Sequence, residues 1–453
     1  MKSKTKRVLW GFFSLDYKAM ETYLEQMAKK GWLLEKVGRY TAKFRATEPQ
    51  ELKFYVDVFT EGGPLTPEKT KEAEEYRSLC QESGWTFITS QDYLQFFYAD
   101  AHKNPIPIQT DEEIEQKIVE STLWRNELLG MIIFSIIAVW VLSRYFPIKH
   151  NNLLSFTGII GTLLFPILCI SVIASAVYSL FWMLKARRSI KRGLPIQKPT
   201  LKNARRRMMA FQGTALCIGA IFIIAFICDA FFRPHIVGIS LLGPIIGISI
   251  GSVLRYIIKK KSTKKENSVL YVVLALIFVL IFTPLVGSLF IDRFDDIDHT
   301  MDSIPVGYPV VSMEEMLEES QHGKLVSREF NYSMSPITPK QYNYWETMDI
   351  NGNTVSIHTK YYQTIDSYFA EIIFNGVTEQ LEKGFKWNGM YIFTKTIIID
   401  DEMKNLWNVD NLAYTEERDE LIVQKGSTVV HISGDINFKN IQTRELIISK
   451  FFR

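Results

Sequence analysis

Chemistry in this chain would have to come from a few scattered groups. His322, His358 and His431 stand singly, so a metal centre among them would have to be assembled by the fold. Asp292, Asp295, Asp296, Asp298 and Asp302 form a run attractive to calcium, but it lacks the glycine and glutamate of a calcium loop, and a solvated acidic face is the simpler reading. The chain has no G-x-x-x-x-G-K-[ST], H-E-x-x-H or G-x-S-x-G segment, and Cys80, Cys169, Cys217 and Cys228 form no Cys-x-x-Cys pair. Asp229 lies close to Arg233 and His235, which suits an interfacial ion pair. No catalytic, cofactor or metal-binding residue is assigned, so enzyme activity ranks behind functions that work by contact.

The elements that must position these residues differ sharply in charge. Residues 1–127 hold 18 basic and 21 acidic side chains, 128–291 hold 19 and two, and 292–453 hold 15 and 26, so the net charge of +3 is a sum of unlike parts. Such a sum gives no support to nucleic-acid binding. Five apolar runs occupy the middle part: Leu128 to Phe146, one within Leu153 to Leu184, Ala210 to Phe232, Ile236 to Ile258, and Val269 to Ile291. A helix of roughly 20 apolar residues crosses a hydrocarbon core about 30 Å thick, so the lipid bilayer is the first expected partner. Lys185 to Arg207 carries ten basic residues and no acid, and KKKSTKKEN from Lys259 carries five lysines, which places both connections on the cytoplasmic side. The ten charges would also attract anionic lipid. MKSKTKRVLWGFF leads into a polar helical pattern instead of a cleavable signal. A multi-pass plasma-membrane protein follows, with its N-terminus cytoplasmic and its C-terminus extracytoplasmic.

Within the first 100 residues a segment repeats at a shift of 53, aligning Gly31, Trp32, Tyr40 and Phe44 with Gly84, Trp85, Tyr93 and Phe97. Each Gly-Trp ends a helical pattern, DYKAMETYLEQMAKKG with Asp16 as N-cap and TPEKTKEAEEYRSLCQESG opening at Thr66 and Pro67. Alternating apolar residues after each glycine predict two strands per copy. Arg7 to Phe13 reads as a leading strand and ELKFYVDVF as a further strand between the copies. Two helices on one face of an antiparallel or mixed sheet would make a ferredoxin-like domain. Trp32 and Trp85 then anchor helix to sheet, or stack on a ligand.

The run FFSLDYKAMETYLEQMAKKGWLLEKVGRYTAKF, followed by ELKFYVDVF and the second Gly-Trp copy, resembles the N-terminal domain of bacterial membrane proteins of the domain of unknown function 2812 family. The family pattern falls on Asp16, Leu24, Met27, Ala28, Gly31, Trp32 and Phe44, and the resemblance covers about the first 100 residues. It implies a Gram-positive multispan membrane protein with a cytoplasmic N-terminal domain, and it carries over no catalytic residues.

A capping box at Thr110 begins a helix expected to run unbroken into the first span. Gly243, Gly247 and Gly251 fall every four residues, a spacing that lets another helix approach closely. Beyond Ser312, strand patterns joined at Asn351-Gly352 and Lys425-Gly426, with two helical patterns, predict an α+β domain whose Tyr342, Tyr344, Trp345, Trp387 and Trp407 pack in the sheet or stack on sugars or peptides. The expected organisation is 1–104 cytoplasmic α+β repeat domain, 105–127 linker helix, 128–291 five-helix transmembrane bundle, and 292–453 extracytoplasmic α+β domain. Folded domains on both sides predict a sensory or regulatory protein that couples an envelope ligand to a cytoplasmic protein partner. The alternative is an accessory subunit of a transporter or of envelope assembly.

Overall fold

The repeat folds as two copies of one β-α-β-β unit. The computed structural model describes residues 4–232, 249–257 and 304–452, apart from short interruptions. In the first copy β1 (Thr5–Leu9), α1 (Tyr17–Ala28), β2 (Trp32–Val37) and β3 (Thr41–Ala46) give an antiparallel sheet of order β1-β3-β2. In the second, β4 (Leu52–Val58), α2 (Lys71–Glu82), β5 (Thr86–Gln91) and β6 (Leu94–Asp100) give the order β4-β6-β5. The register shifts between Leu34 and Lys36 in one sheet and between Phe87 and Thr89 in the other, so a β-bulge sits at the same place in both copies. ELKFYVDVF is therefore the second copy's leading strand, and two three-stranded sheets replace the single sheet of the expected ferredoxin-like arrangement.

Each helix ends in the left-handed region, at Gly31 (φ +76°) and Gly84 (φ +88°), where a side chain is strained. The helix starts differ from expectation. Helix α2 begins after Thr70, whose hydroxyl accepts from the Ala73 amide at 3.2 Å, because Glu72 and Glu74 then fall in the first turn where the dipole favours them. Helix α3 (Glu112–Leu123) is capped by Asp111, not Thr110. The Asp111 carboxylate accepts from the amides of Glu113 and Ile114, at 2.8 and 3.1 Å, a stronger charge-assisted cap than a hydroxyl. Far from being a bare linker, α3 contributes Val119 and Ile118 to the core that holds Trp10, Tyr17, Leu24, Phe44 and Phe96.

The expected five-span bundle is overturned. Among the described residues two helices are long and apolar enough to cross a membrane, α6 (Phe156–Lys191) and α7 (Leu201–Phe232). Helix α4 (Leu129–Tyr145) has 17 residues, which rise only about 25 Å, and a four-residue helix α5 (His150–Leu153) follows it. The fourth and fifth expected spans, Ile236 to Ile258 and Val269 to Ile291, lie almost wholly outside the described residues. The class is mixed α and β, dominated by antiparallel sheet outside the helices. Helices α6 and α7 also run past their apolar stretches, so Lys185, Arg187, Arg188 and Lys191 sit on the end of α6, and Lys202 and Arg205 to Arg207 on the start of α7.

The chain forms two units: Met1–Leu142 with Pro166–Ala220 and Leu242–Gly287, and Ser143–Phe165 with Ile221–Leu241 and Ser288–Arg453. The second is built on a seven-stranded antiparallel sheet. In chain order its strands are β7 (Gly323–Ser333), β8 (Lys340–Ile350) and β9 (Asn353–Gln363), then, after a small hairpin of β10 (Phe385–Trp387) and β11 (Met390–Ile392), β12 (Ile397–Ile399), β13 (Asn411–Thr415), β14 (Glu420–Lys425) and β15 (Thr428–Gly434). The spatial order is β12-β13-β14-β15-β9-β8-β7. The positive φ of Asn351 and Gly352 turns β8 into β9, as the Asn-Gly signal predicts. Successive side chains point to opposite faces. Leu421, Val423, Val430 and Tyr361 pack with α8 (Met313–Met316), α10 (Asp401–Trp407) and α11 (Ile441–Phe451), while Ile422, Val429 and Tyr362 pack with α9 (Ser367–Lys383) and Leu153 of α5. Burial on both faces explains why the segments of β14 and β15 read as almost continuous apolar runs.

Candidate functional site

The polar groups of the first unit converge where α1 and α3 meet the basic ends of α6 and α7. Asp16 is wholly buried at the start of α1, yet its carboxylate does not cap that helix. One oxygen accepts from the Phe13 amide at 3.2 Å and the other pairs with Arg207. The Arg207 guanidinium donates to the Tyr178 hydroxyl at 2.6 Å and lies 4.6 Å from that ring, a cation–π contact. Lys18 bridges Glu21 (3.0 Å) and Glu115 (3.3 Å) over the Tyr55 ring at 4.3 Å, and the other Glu115 oxygen takes Lys198 at 3.0 Å. Glu120 holds Arg187 at 2.7 Å, and Asp92 holds Arg255 at 2.9 Å.

Burial pushes the Glu21 carboxyl up to about 7, against the pull of Lys18 and the Val56 amide. It raises Asp57 as well, whose carboxylate accepts from the Tyr76 hydroxyl at 2.7 Å. Burial would raise Glu115 too, but Lys18 and Lys198 outweigh it and the net shift is downward. The lysines thus keep Glu115 charged while Glu21, a few ångströms away, is poised near neutrality. Such a network stores charge and fastens elements; its small cavity beside Tyr17, Asp57 and Glu115 has room for little more than a water.

The residues that carry this network lie in one matched segment. Residues 16–131 match the model of the family described as protein of unknown function (DUF2812). This segment is a DUF2812 domain. No curated protein and no solved structure matches the chain. The match runs through α3 to residue 131, so the expected linker helix is part of the DUF2812 domain.

The repeat residues of the DUF2812 domain are structural in placement, and not fully equivalent. Phe44 and Phe97 are both wholly buried. Trp85 is buried against Tyr55 and donates its indole N–H to the Ile106 carbonyl at 2.8 Å, whereas Trp32 is half-buried with the Lys6 ammonium 5.5 Å from its ring. Tyr93 is buried, while Tyr40 is 63% exposed and contributes its carbonyl to the Trp10 amide. Gly243 and Gly247 lie outside the described residues, and Gly251 is half-buried and helical.

In the second unit Asp229, read from the sequence as an interfacial partner of Arg233 and His235, has a different role. Its carboxylate accepts from the amides of Phe156 and Thr157, both at 2.8 Å, and from the Thr157 hydroxyl at 2.6 Å, so α7 supplies the N-terminal cap of α6. Arg233 and His235 lie outside the described residues, as do His322 and the aspartate run. Tyr342, Tyr344 and Trp407 belong to the sheet core, and of the candidate stacking residues Trp345 is 45% exposed. The Trp387 side chain lies outside the described residues.

The sheet brings two of the scattered histidines onto one face. Trp345 pairs across the strands with His358, His358 with Ser433, and Ser433 with Glu420, and His431 is two positions from Ser433 on the same side. The Trp345 and His358 rings lie 5.0 Å apart. His431 Nε2 meets Glu420 Oε2 at 2.6 Å, with Nδ1 buried and unpartnered. Lys395 donates to both Asp419 and Glu420. Burial, aided by Lys360 and His431, lowers His358 to about 4, and Glu420 falls to about 2 because His431 and Lys395 outweigh its burial. The result is a neutral imidazole and an exposed indole side by side, fitted for stacking and hydrogen bonding. Among the described residues no three His, Cys, Asp or Glu side chains are placed to hold a metal ion.

Proposed function

We propose that the protein is a membrane-embedded regulator in which the DUF2812 domain engages a cytoplasmic protein and the sheet domain of the second unit binds an envelope ligand on the other side. The observation that carries this reading is the set of ion pairs from Asp16, Glu115 and Glu120 to Arg207, Lys198 and Arg187. Every acid comes from the DUF2812 domain, and the bases come from the facing ends of two helices long enough to cross a bilayer, Arg187 and Arg207, and from the connection between them, Lys198. Those helices are only 22% and 11% buried along their apolar stretches, which suits contact with lipid. Basic helix ends favour the cytoplasmic side, and the domain fastened to them shares that side. Helices α6 and α7 also carry residues of the second unit, among them the Asp229 cap, so one helix pair is built into both units. The indole and imidazole of Trp345 and His358 offer the ligand surface.

Two experiments test this reading. A topology reporter fused after Arg453 is expected to be active only in its extracytoplasmic form, and cytoplasmic activity would refute the orientation. Full-length protein purified in mild detergent is expected to retain a cytoplasmic protein whose amount changes when Trp345 and His358 are both replaced by alanine. An unchanged amount would separate the two domains functionally and sink the coupling.

A further inference from the structure

The basic end of α6 has two faces, and the network described above uses one of them. Tyr178, Trp182 and Met183 pack into the core of the DUF2812 domain. On the other side Phe181, Leu184, Lys185, Arg188 and Arg192 line an open groove of about 600 Å³, closed at its end by Leu194. Their spacing of three, four and seven residues puts them on one stripe of the helix. Leu194 reaches the groove because α6 ends in a left-handed turn. Gly193 has φ +65°, its amide bonds to Ile190, and the Leu194 amide bonds back to Ser189, both at 3.0 Å.

The groove is chemically divided. Phe181, Leu184 and Leu194 are 64, 52 and 55% exposed, an unusual amount of apolar surface beside a dense cationic cluster. Arg188 and Arg192 are exposed, and neither forms an ion pair among the described residues, in contrast to Arg187, which Glu120 holds. Among the described residues no acid lines the groove. Cations that serve only to fasten the DUF2812 domain would face its acids; these face away from it.

We propose that this groove binds an anionic phospholipid, its phosphate between Arg188 and Arg192 and the start of its acyl chain on Phe181 and Leu184. Guanidinium groups bind phosphate oxygens through paired donors, and Phe181 and Leu184 lie toward the part of α6 that would enter the bilayer, while Leu194 covers the opposite end of the groove. A soluble phosphate would leave Phe181, Leu184 and Leu194 uncovered, and a zwitterionic lipid would bring a cation to a site that already holds three. The proposal rests on the membrane reading given above.

The test uses full-length protein carrying Phe181→Trp in phosphatidylcholine bilayers containing increasing brominated phosphatidylglycerol, read as the tryptophan quenching gained over the unsubstituted protein, since position 181 lines the groove whereas Trp182 is buried on the opposite face. Each basic residue near an anionic headgroup contributes roughly five-fold in affinity, so Arg188→Gln with Arg192→Gln is expected to weaken phosphatidylglycerol binding about 25-fold. Leu194→Gln, which keeps every charge, is expected to produce a smaller loss. Equal quenching by brominated phosphatidylcholine, or an undiminished preference in the double variant, would overturn the site. Displacement by soluble glycerol phosphate as effectively as by lipid would overturn a lipid occupant. Flotation with vesicles after an alkaline wash separates the two levels of the argument. Protein that floats but shows no headgroup preference refutes the groove alone, and protein that does not float refutes the membrane reading with it.

Discussion

The two polar networks are assembled in opposite ways. In the first unit, Lys18 with Glu21 aside, the partners are far apart along the chain, 191 residues for Asp16 and Arg207, 83 for Glu115 and Lys198, and 67 for Glu120 and Arg187. In the second they are close, 11 residues for Glu420 and His431, which sit on the neighbouring strands β14 and β15, and 25 for Lys395 and Glu420, with Lys395 in the segment that leads into β12 of the same sheet. A network that joins distant segments cannot form until those segments dock, so its energy belongs to the fastening of the DUF2812 domain to the helix ends. A network inside one sheet belongs to the surface of that sheet, and is free to be shaped for a ligand.

The largest effect that distinguishes them is expected at Arg207. Arg207→Ala leaves the wholly buried Asp16 carboxylate without its cation and should cost about 3–5 kcal/mol in denaturant unfolding of the intact protein. Asp16→Asn combined with Arg207→Met should cost far less than the sum of the single changes, and additive losses would show that the two do not act as a pair.

Acidity should separate the units by sign. Glu21, raised to about 7 in the folded state, takes up a proton on folding, so its contribution is full below about 4.3 and is lost as pH rises through 7. In the second unit the folded-state values of His358 and Glu420 are depressed to about 4 and about 2. Their contribution is complete above about 6.5, and it declines first through His358 and then, below about 4.3, through Glu420. Amide hydrogen exchange followed separately in α1 and β14 between pH 3 and 8 should show the two trends, with Glu21→Gln flattening the first and Glu420→Gln the acid end of the second. Parallel trends in both units would dissolve the contrast.

The smallest expected effect sharpens the comparison within the DUF2812 domain. Gly31 and Gly84 both have positive φ, but a Cβ at Gly31 would lie 2.8 Å from the Thr47 carbonyl, whereas at Gly84 it meets nothing within 4 Å. Gly84→Ala should cost about 1 kcal/mol and Gly31→Ala clearly more, measured by thermal unfolding. Equal costs would mean that the Thr47 backbone yields.

Legibility followed the range of the interactions. The two Gly-Trp helix ends, the Asn-Gly hairpin and the helices α9 and α11 were visible because each depends on a few adjacent residues. The two apolar helices were visible by length, but their extension into Lys185–Arg207 was hidden, since basic residues are as much at home on a helix end as in a loop. The charge difference between segments is plain in the sequence as a signal of membrane orientation and lipid attraction, but its use in ion pairs with the DUF2812 domain is not. Nothing local marks Asp16 as the partner of Arg207, or Asp229 as the cap of a helix that begins 73 residues earlier. His358 and His431 looked isolated because strand register, unknown from spacing, is what sets them on one face. Tyr342 and Tyr344 fit either sheet packing or stacking on a ligand because aromatic side chains in a strand do not announce which face is covered; the structure buries both.

The bulge shared by the two β-α-β-β copies has a consequence for how the chain could be divided. An irregularity kept at the same step in both halves implies that each half carries its own complete instructions for pairing, with the short stretch Thr47 to Glu51 acting as a tether between them. Cut at that tether, the two pieces should find each other again as complementing fragments, the way a broken hinge still mates at its leaves.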